Sequence, residues 1–211
     1  MESDTRVVLS LYRHGVTKEN QDKVYIGWSD VSVSQDGIDR LHETKAHRPD
    51  AERVIISDLK RCVESADILF PDQPKIQHRG LREINFGEWE GRRADELQKR
   101  DDFAQWLSNP EVMQPENGES FTDFSSRVLD AWKTIREWCV HDEVKDIAIV
   151  SHGGPIRRLL VELAPEEKEF WDWKPLHGEG LTLVWKDAES FGRGDRCTLL
   201  SAVPSTENGN G

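Results

Sequence analysis

Three short runs constrain this chain more than anything else in it: VVLSLY (Val7–Tyr12), RVIIS (Arg53–Ser57) and IAIV (Ile147–Val150). Each places apolar residues on both sides of an extended backbone. Strands of that kind belong to mostly parallel sheets covered by helices on either face. The spacings around them agree. Residues 37–47 and 60–69 predict short helices, and another follows Gly154, near 155–163. Over 120–140, Phe121, Phe124, Val128, Trp132, Ile135 and Cys139 recur at intervals of three or four, the stripe of an amphipathic helix. Ser120 and Asp123 give it a start like a capping box. Two more strands, near 181–186 and 197–203, complete the sheet. The expected architecture is α/β: a three-layer α/β/α domain over 1–204, with a mostly parallel central sheet and a helical insertion around 94–140. The terminal PSTENGNG offers no core-forming residue, and 205–211 are expected to form a flexible tail.

The residues just after each strand matter as much as the strand itself. The first run ends in Arg13-His14-Gly15, the second continues into SDLKR with Arg61, and the third into SHGG with His152. Ligands of open α/β sheets sit beyond the carboxyl ends of the strands. If these strands are neighbours, two arginines and two histidines converge there. Arginine forks match phosphate oxygens, and helix N-termini add N–H donors, so the cluster predicts a phosphate pocket.

The overall charge narrows the choice of partner. Lys and Arg number 28 against 40 Asp and Glu, a net −12. Such a surface repels nucleic acid and anionic lipid, so the expected partner is a small phosphorylated molecule caught by local cations. No apolar run has the length of a membrane helix, and MESDTR lacks the basic and apolar regions of a signal peptide. Cys62, Cys139 and Cys197 are sparse, odd in number and without metal-ligand spacing; they suit a reducing cytosol, and a cytoplasmic protein is expected. His42 and His47, five apart, are poorly spaced to share a metal. Neither a G-x-S-x-G elbow nor a nucleotide-binding G-x-x-x-x-G-K-[ST] loop is present. The sequence fits a monomer or a homodimer.

The residue types at the strand ends suit phosphoryl transfer. A neutral imidazole keeps a lone pair for attack, and a hydrogen bond from its other nitrogen to a backbone carbonyl fixes the tautomer. Charge spread over phosphoryl oxygens calls for preorganised cations. A departing alkoxide needs a proton, which a carboxyl group can supply. Glu83, Glu88 and Glu90 share one loop, and chemistry alone does not choose among them.

The motifs together resemble the histidine phosphatase superfamily, the phosphoglycerate mutase-like proteins. RHGVTKEN, YIGWSD, SDLKRCVESA, LREINFGEWEG, NGES and VSHGG occur in that family's order over most of the chain. The resemblance implies that His14 is a nucleophile forming a phosphohistidine, and that Arg13, Arg61 and His152 hold the phosphoryl oxygens. It further implies that Asn20, with Thr17, Gly27 and Gly153, completes the phosphate and substrate site. The L-x-E-x-x-x-G-x-W-x-G spacing selects Glu83 as general acid and leaves Glu88 and Glu90 as surface residues. Cys62 reads as a small core residue, and Trp28 and Trp89 as candidates for the substrate mouth. The activity implied is a phosphomonoesterase needing neither metal nor cofactor, close to the α-ribazole and broad-specificity phosphatases. The alternatives are a cofactor-dependent phosphoglycerate mutase, whose members are typically longer, and a non-catalytic phospho-ligand module, which would lack part of the catalytic set.

Overall fold

A computed structural model describes residues 5–203, so the expected tail at 205–211 lies outside the described residues. In chain order the elements are β1 (Val7–Arg13), α1 (Lys18–Gln21), α2 (Gln35–His47), β2 (Arg53–Ile56), α3 (Lys60–Leu69) and β3 (Lys75–Gln77). They continue with α4 (Ala94–Leu97), α5 (Asp101–Ser108), α6 (Phe121–His141), β4 (Asp146–Ser151) and α7 (Gly153–Leu163). β5 (Gly180–Trp185), α8 (Ala188–Arg193) and β6 (Leu199–Val203) close the chain. The strands form one sheet in the order β3-β2-β4-β1-β5-β6. β3, β2, β4 and β1 are mutually parallel, β5 runs antiparallel to β1, and β6 runs antiparallel to β5. The sheet is therefore mostly parallel, with β5 alone reversed.

Alternation along the strands builds two cores. Leu9 and Leu11 of β1, Ile55 of β2, and Ile147 and Ile149 of β4 share one cluster with residues of α6, α7 and α8. Tyr12, Val54, Ile56, Ala148 and Val150 face the other way, against α2 and α3. That is why these runs carry no polar face: each side meets a helical layer. On α6 the buried positions are Phe124, Val128, Ala131, Trp132, Ile135 and Cys139, each large side chain contributing about 1.5–3 kcal/mol on leaving water. Ser120 Oγ caps this helix by accepting from Asp123 N at 3.0 Å and donates to Asp123 Oδ2 at 2.7 Å.

The helical insertion expected around 94–140 is not continuous. Helix is confined to α4 and α5, then absent until α6, which packs its apolar stripe into the main core as a layer helix. β3 was not anticipated: three residues at the sheet edge are too few to show a period. Among the described residues no helix is long and apolar enough to cross a membrane.

Candidate active site

Because β1, β2 and β4 are adjacent and parallel, their carboxyl ends bring the polar residues beyond them to one place. His14 directly follows β1, Arg61 lies in the first turn of α3 behind β2, and His152 is the residue between β4 and α7. His14 is 3% exposed, and Arg61 and His152 are fully buried. The His14 ring sits edge-on to His152 at 5.2 Å between centroids, and on its other side edge-on to His177 at 5.2 Å.

The His14 ring is held in one tautomer. Its Nδ1 lies 2.8 Å from Gly15 O, and a carbonyl can only accept, so Nδ1 carries the proton and Nε2 keeps its lone pair. Burial, reinforced by the Arg61 and Arg13 charges, pushes its pKa well below the usual imidazole range. The same causes act on His152, burial first and then Arg61, and burial takes His177 down to about 3. All three rings are neutral near pH 7.

The arginines are positioned by main-chain carbonyls. Arg61 donates from Nη1 to Ser29 O at 2.8 Å and from Nη2 to Gly27 O at 2.7 Å. Arg13 donates from Nη1 to Pro175 O at 2.9 Å. Arg13 Nε, Arg61 Nε and His177 Nε2 are buried with no protein partner. Buried polar atoms without partners are costly, and these three belong to residues that act on His14, the two arginines through their charges and His177 through ring contact. Burial lowers the pKa of Arg13 to about 10, which still leaves it cationic at neutral pH.

Glu83 is clamped by two amides: Ile84 N donates to Oε1 at 3.0 Å and Gly154 N to Oε2 at 3.0 Å. Gly154 has to be glycine for this contact, since a Cβ there would lie 2.1 Å from Glu83 Oε1. Gly153 lets the Arg13 guanidinium lie against the helix start, where a Cβ would be 3.2 Å from Arg13 Cζ. Gly27 presents its carbonyl to Arg61 and has no room for a side chain, a Cβ lying 2.2 Å from Ile84 O. Asn20 lines the pocket. Thr17 is fully buried, as Arg61 and His152 are; its hydroxyl accepts from Asn20 N at 3.2 Å and caps α1, the helix that carries Asn20.

Three expectations need correction. Glu90 is not a simple surface residue: its carboxylate accepts from Trp28 N, Phe86 N, Ser29 N and Ser29 Oγ, tying the 27–29 loop beside Arg61. Trp89 does not line the mouth but is 0% exposed, ringed by Phe103 and Trp106. Trp28 is not among the residues lining the cavity; its Nε1 donates to Glu83 O at 2.9 Å. Glu88 is exposed. Cys62 lies fully buried, 3.4 Å from His152 Nε2, and burial pushes its thiol up to about 12, leaving it inert at neutral pH.

Sequence reasoning missed Ser57, 2.8 Å from His152 Nε2, and both His177 and Arg157, which line the pocket. Arg157 carried a readable signal, since it stands three residues after Gly154 on the same helix face. His177 lies in the connection before β5 and carried none.

The cavity measures about 380 Å³. Arg13, Asn20, Glu83, Gly154 and His177 form its polar end, and Tyr25, Phe86, Trp106, Phe121, Phe124, Phe170 and Trp171 much of the remaining wall, which aliphatic residues and the cations Lys23 and Arg157 also line. The arrangement can take a phosphoryl group, present an imidazole lone pair to it and place a carboxyl group nearby.

Comparison with known proteins gives the same reading. The chain is 31% identical over 162 residues to the adenosylcobalamin/α-ribazole phosphatase of Salmonella typhimurium, covering 74% of this chain and 78% of that protein. It is 28% identical over 179 residues to a broad-specificity phosphatase of Saccharomyces cerevisiae, covering 80% and 76%. The crystal structure of the α-ribazole phosphatase from Shigella flexneri superposes with a TM-score of 0.75 at 26% identity, covering 83% of this chain and 89% of that one. Residues 9–190, from within the first strand into α8, match branch 1 of the histidine phosphatase superfamily, and it is to that family of enzymes that this chain belongs.

Proposed function

We propose that the chain is a phosphomonoesterase of small phosphorylated metabolites, working without a metal through a phosphohistidine on His14. The observation that carries this reading is the set of unpartnered buried atoms, Arg13 Nε, Arg61 Nε and His177 Nε2, on residues that act on an imidazole with a free Nε2. A phosphoryl group supplies acceptors for the arginine donors and an electrophile for the lone pair.

In the first half-reaction His14 Nε2 attacks phosphorus, the P–N bond forms and the ester P–O bond breaks. Arg13 and Arg61 stabilise the charge on the equatorial oxygens, with Asn20 and His152 completing the shell. Glu83 gives its proton to the departing alcohol oxygen. In the second half Glu83 takes a proton from water as the water oxygen attacks phosphorus. The P–N bond breaks, inorganic phosphate leaves, and His14 regains its lone pair. Nothing is oxidised or reduced. The α-ribazole phosphatases among the relatives make α-ribazole 5′-phosphate a substrate to try first.

A phosphoglycerate mutase of Schizosaccharomyces pombe, 27% identical over 169 residues, keeps the mutase reading as the competing outcome. A mutase must shield its phosphoenzyme from water and be primed by a bisphosphate. The test is phosphate release from simple monoesters, with and without chelator and 2,3-bisphosphoglycerate. Release that ignores both additions is expected. Conversion of 3- to 2-phosphoglycerate with little free phosphate would overturn the phosphatase reading.

A further inference from the structure

Away from the phosphoryl end, the pocket is lined for something other than phosphate. Its wall is a run of rings in mutual contact. Phe86 meets Trp106 at 5.6 Å between centroids, Trp106 meets Trp171 at 5.5 Å, Trp171 meets Phe170 at 4.8 Å, and Phe170 meets Phe121 at 5.0 Å. These rings come from the loop before α4, from α5, from α6 and from the connection between α7 and β5. All four contacts are edge-to-face, the favoured geometry of aromatic pairs, so these rings form a continuous packed surface. A glycerol or sugar alcohol would set hydroxyls against this surface with few groups to bond them.

Besides Arg13, the cations lining the pocket are Lys23 and Arg157, and of these two it is Arg157 that lies against the rings. Arg157 lies on α7, one turn beyond Gly154, with its guanidinium 5.9 Å from the Phe170 centroid and 5.5 Å from that of Trp171. Its Nε donates to Trp173 O at 3.0 Å, which fixes the plane of the fork. Among the described residues its terminal nitrogens form neither a hydrogen bond nor an ion pair. Arg13 and Arg61 already serve the phosphoryl group, so Arg157 is surplus to it. A planar, oriented fork with both terminal nitrogens uncommitted matches a carboxylate in two-point contact.

We propose that the preferred substrate is a phosphomonoester whose alcohol carries an aromatic ring and a carboxylate: the ring lies on the Trp106–Trp171–Phe170 wall and the carboxylate pairs with Arg157. The proposal rests on the phosphatase reading and sharpens it. α-Ribazole 5′-phosphate satisfies its first half, with an aromatic ring system, and lacks the carboxylate, so it is expected to be served less well than an acidic counterpart.

Four primary-alcohol esters separate the two halves without changing the leaving group much: propyl phosphate, 4-phosphooxybutyrate, benzyl phosphate and 4-carboxybenzyl phosphate. In the intact enzyme the ring should raise kcat/KM about tenfold or more. The carboxylate should raise it a further 10- to 100-fold or so, the scale of a charge-assisted hydrogen bond. Arg157→Gln should bring the ratio of carboxybenzyl to benzyl phosphate to about one, and Arg157→Lys should restore part of it; turnover of benzyl phosphate reports that the variant is folded. Trp171→Ala should shrink the ratio of benzyl to propyl phosphate. Equal kcat/KM for propyl and benzyl esters would overturn the role of the wall. A carboxylate ratio of one or less in the intact enzyme, or one unchanged in Arg157→Gln, would overturn the role of Arg157. If neither these esters nor p-nitrophenyl phosphate is hydrolysed, the phosphatase reading itself fails and takes the proposal with it.

Discussion

At the phosphoryl end of the pocket the arginines and the two histidines His14 and His152 stand at strand tips and helix starts, whereas the far wall is contributed by the loop before α4, by α5 and α6 and by the connection between α7 and β5. The first end is a consequence of topology. Once β2, β4 and β1 pair in parallel, Arg61, His152 and His14 must meet. The second end has no such guarantee, because its rings hold one another in place. On the proposed reading, the sheet fixes the kind of reaction, while the elements added around it fix which alcohol is cleaved. Damage to the first end should therefore abolish turnover of every substrate, and damage to the second should change only the ranking of substrates.

The largest effect is expected from His14→Ala, about 10⁴–10⁶-fold on every phosphomonoester, as when a nucleophile is deleted from a catalytic unit. Rapid mixing and quenching should trap label in an acid-labile, base-stable linkage in the parent enzyme and none in the variant. Full activity in that variant would break the division between the two ends at once. Glu83→Gln comes next, with a loss of about 10²–10⁴-fold on alkyl phosphates. Nitrophenolate departs without a proton, so the phosphoenzyme burst on p-nitrophenyl phosphate should suffer much less. Equal losses in burst rate would mean that Glu83 positions phosphate instead of protonating the leaving group.

The same division explains which residues were legible in the sequence. VVLSLY, RVIIS and IAIV stood out because burial on both faces leaves no polar period, and the residues after them fell where parallel strands deliver ligands. Glu83 needed more than chemistry, since Glu88 and Glu90 share its loop and only the family's spacing separates them. Trp89 and Trp106 illustrate the opposite case. Both are tryptophans of the same region, yet the one inside a motif is buried behind the wall and the one outside it lines the pocket. Nothing local distinguishes them, because their roles depend on how α5 packs against residues far away in the chain. His177 was silent for the same reason: a lone histidine in a connection acquires meaning only when β5 places it against His14.

A smaller effect is expected where the two ends touch. Gly154 donates to Glu83 and also lies near Phe124 of the wall; a Cβ there would meet Glu83 Oε1 at 2.1 Å and Phe124 Cζ at 3.1 Å. Glu83 Oε1 ends a flexible side chain, so Gly154→Ala should shift the acid and leave the backbone in place. Activity on alkyl phosphates should fall by about 10–10²-fold, the scale of a misplaced catalytic group. Alanine suits a helix better than glycine by about 0.5–1 kcal/mol, so Tm should hold or rise slightly. A variant with reduced Tm and unchanged kcat would show that Gly154 matters for packing and not for Glu83.

The smallest effect is a pH dependence of stability to which, of the two ends, only the phosphoryl end contributes. His14, His152 and His177 are neutral in the fold because burial, then the arginine charges, depresses their pKa values, His177 to about 3. In the unfolded chain imidazoles take up protons as pH falls through about 6.5. The unfolded state then binds more protons, so this stabilisation is complete above that pH and is lost on acidification. Each ring contributes a slope of up to about 1.4 kcal/mol per pH unit. His78, pushed down by its partial burial, adds in the same direction. Asp58 and Asp102 have depressed pKa values, Asp102 to about 2, mainly through hydrogen bonds from Arg82 and Arg100. Their stabilisation is lost only as pH falls below about 4, which leaves the interval from about 6.5 to about 5 to the imidazoles. Urea unfolding across that interval should show stability falling with pH, and His177→Gln should make the slope shallower. Phe121→Ala, at the far wall, should lower stability by a similar amount at each pH and leave the slope alone, because it removes packing and no proton. A slope that is the same in His177→Gln as in the parent would remove His177 from the titrating groups.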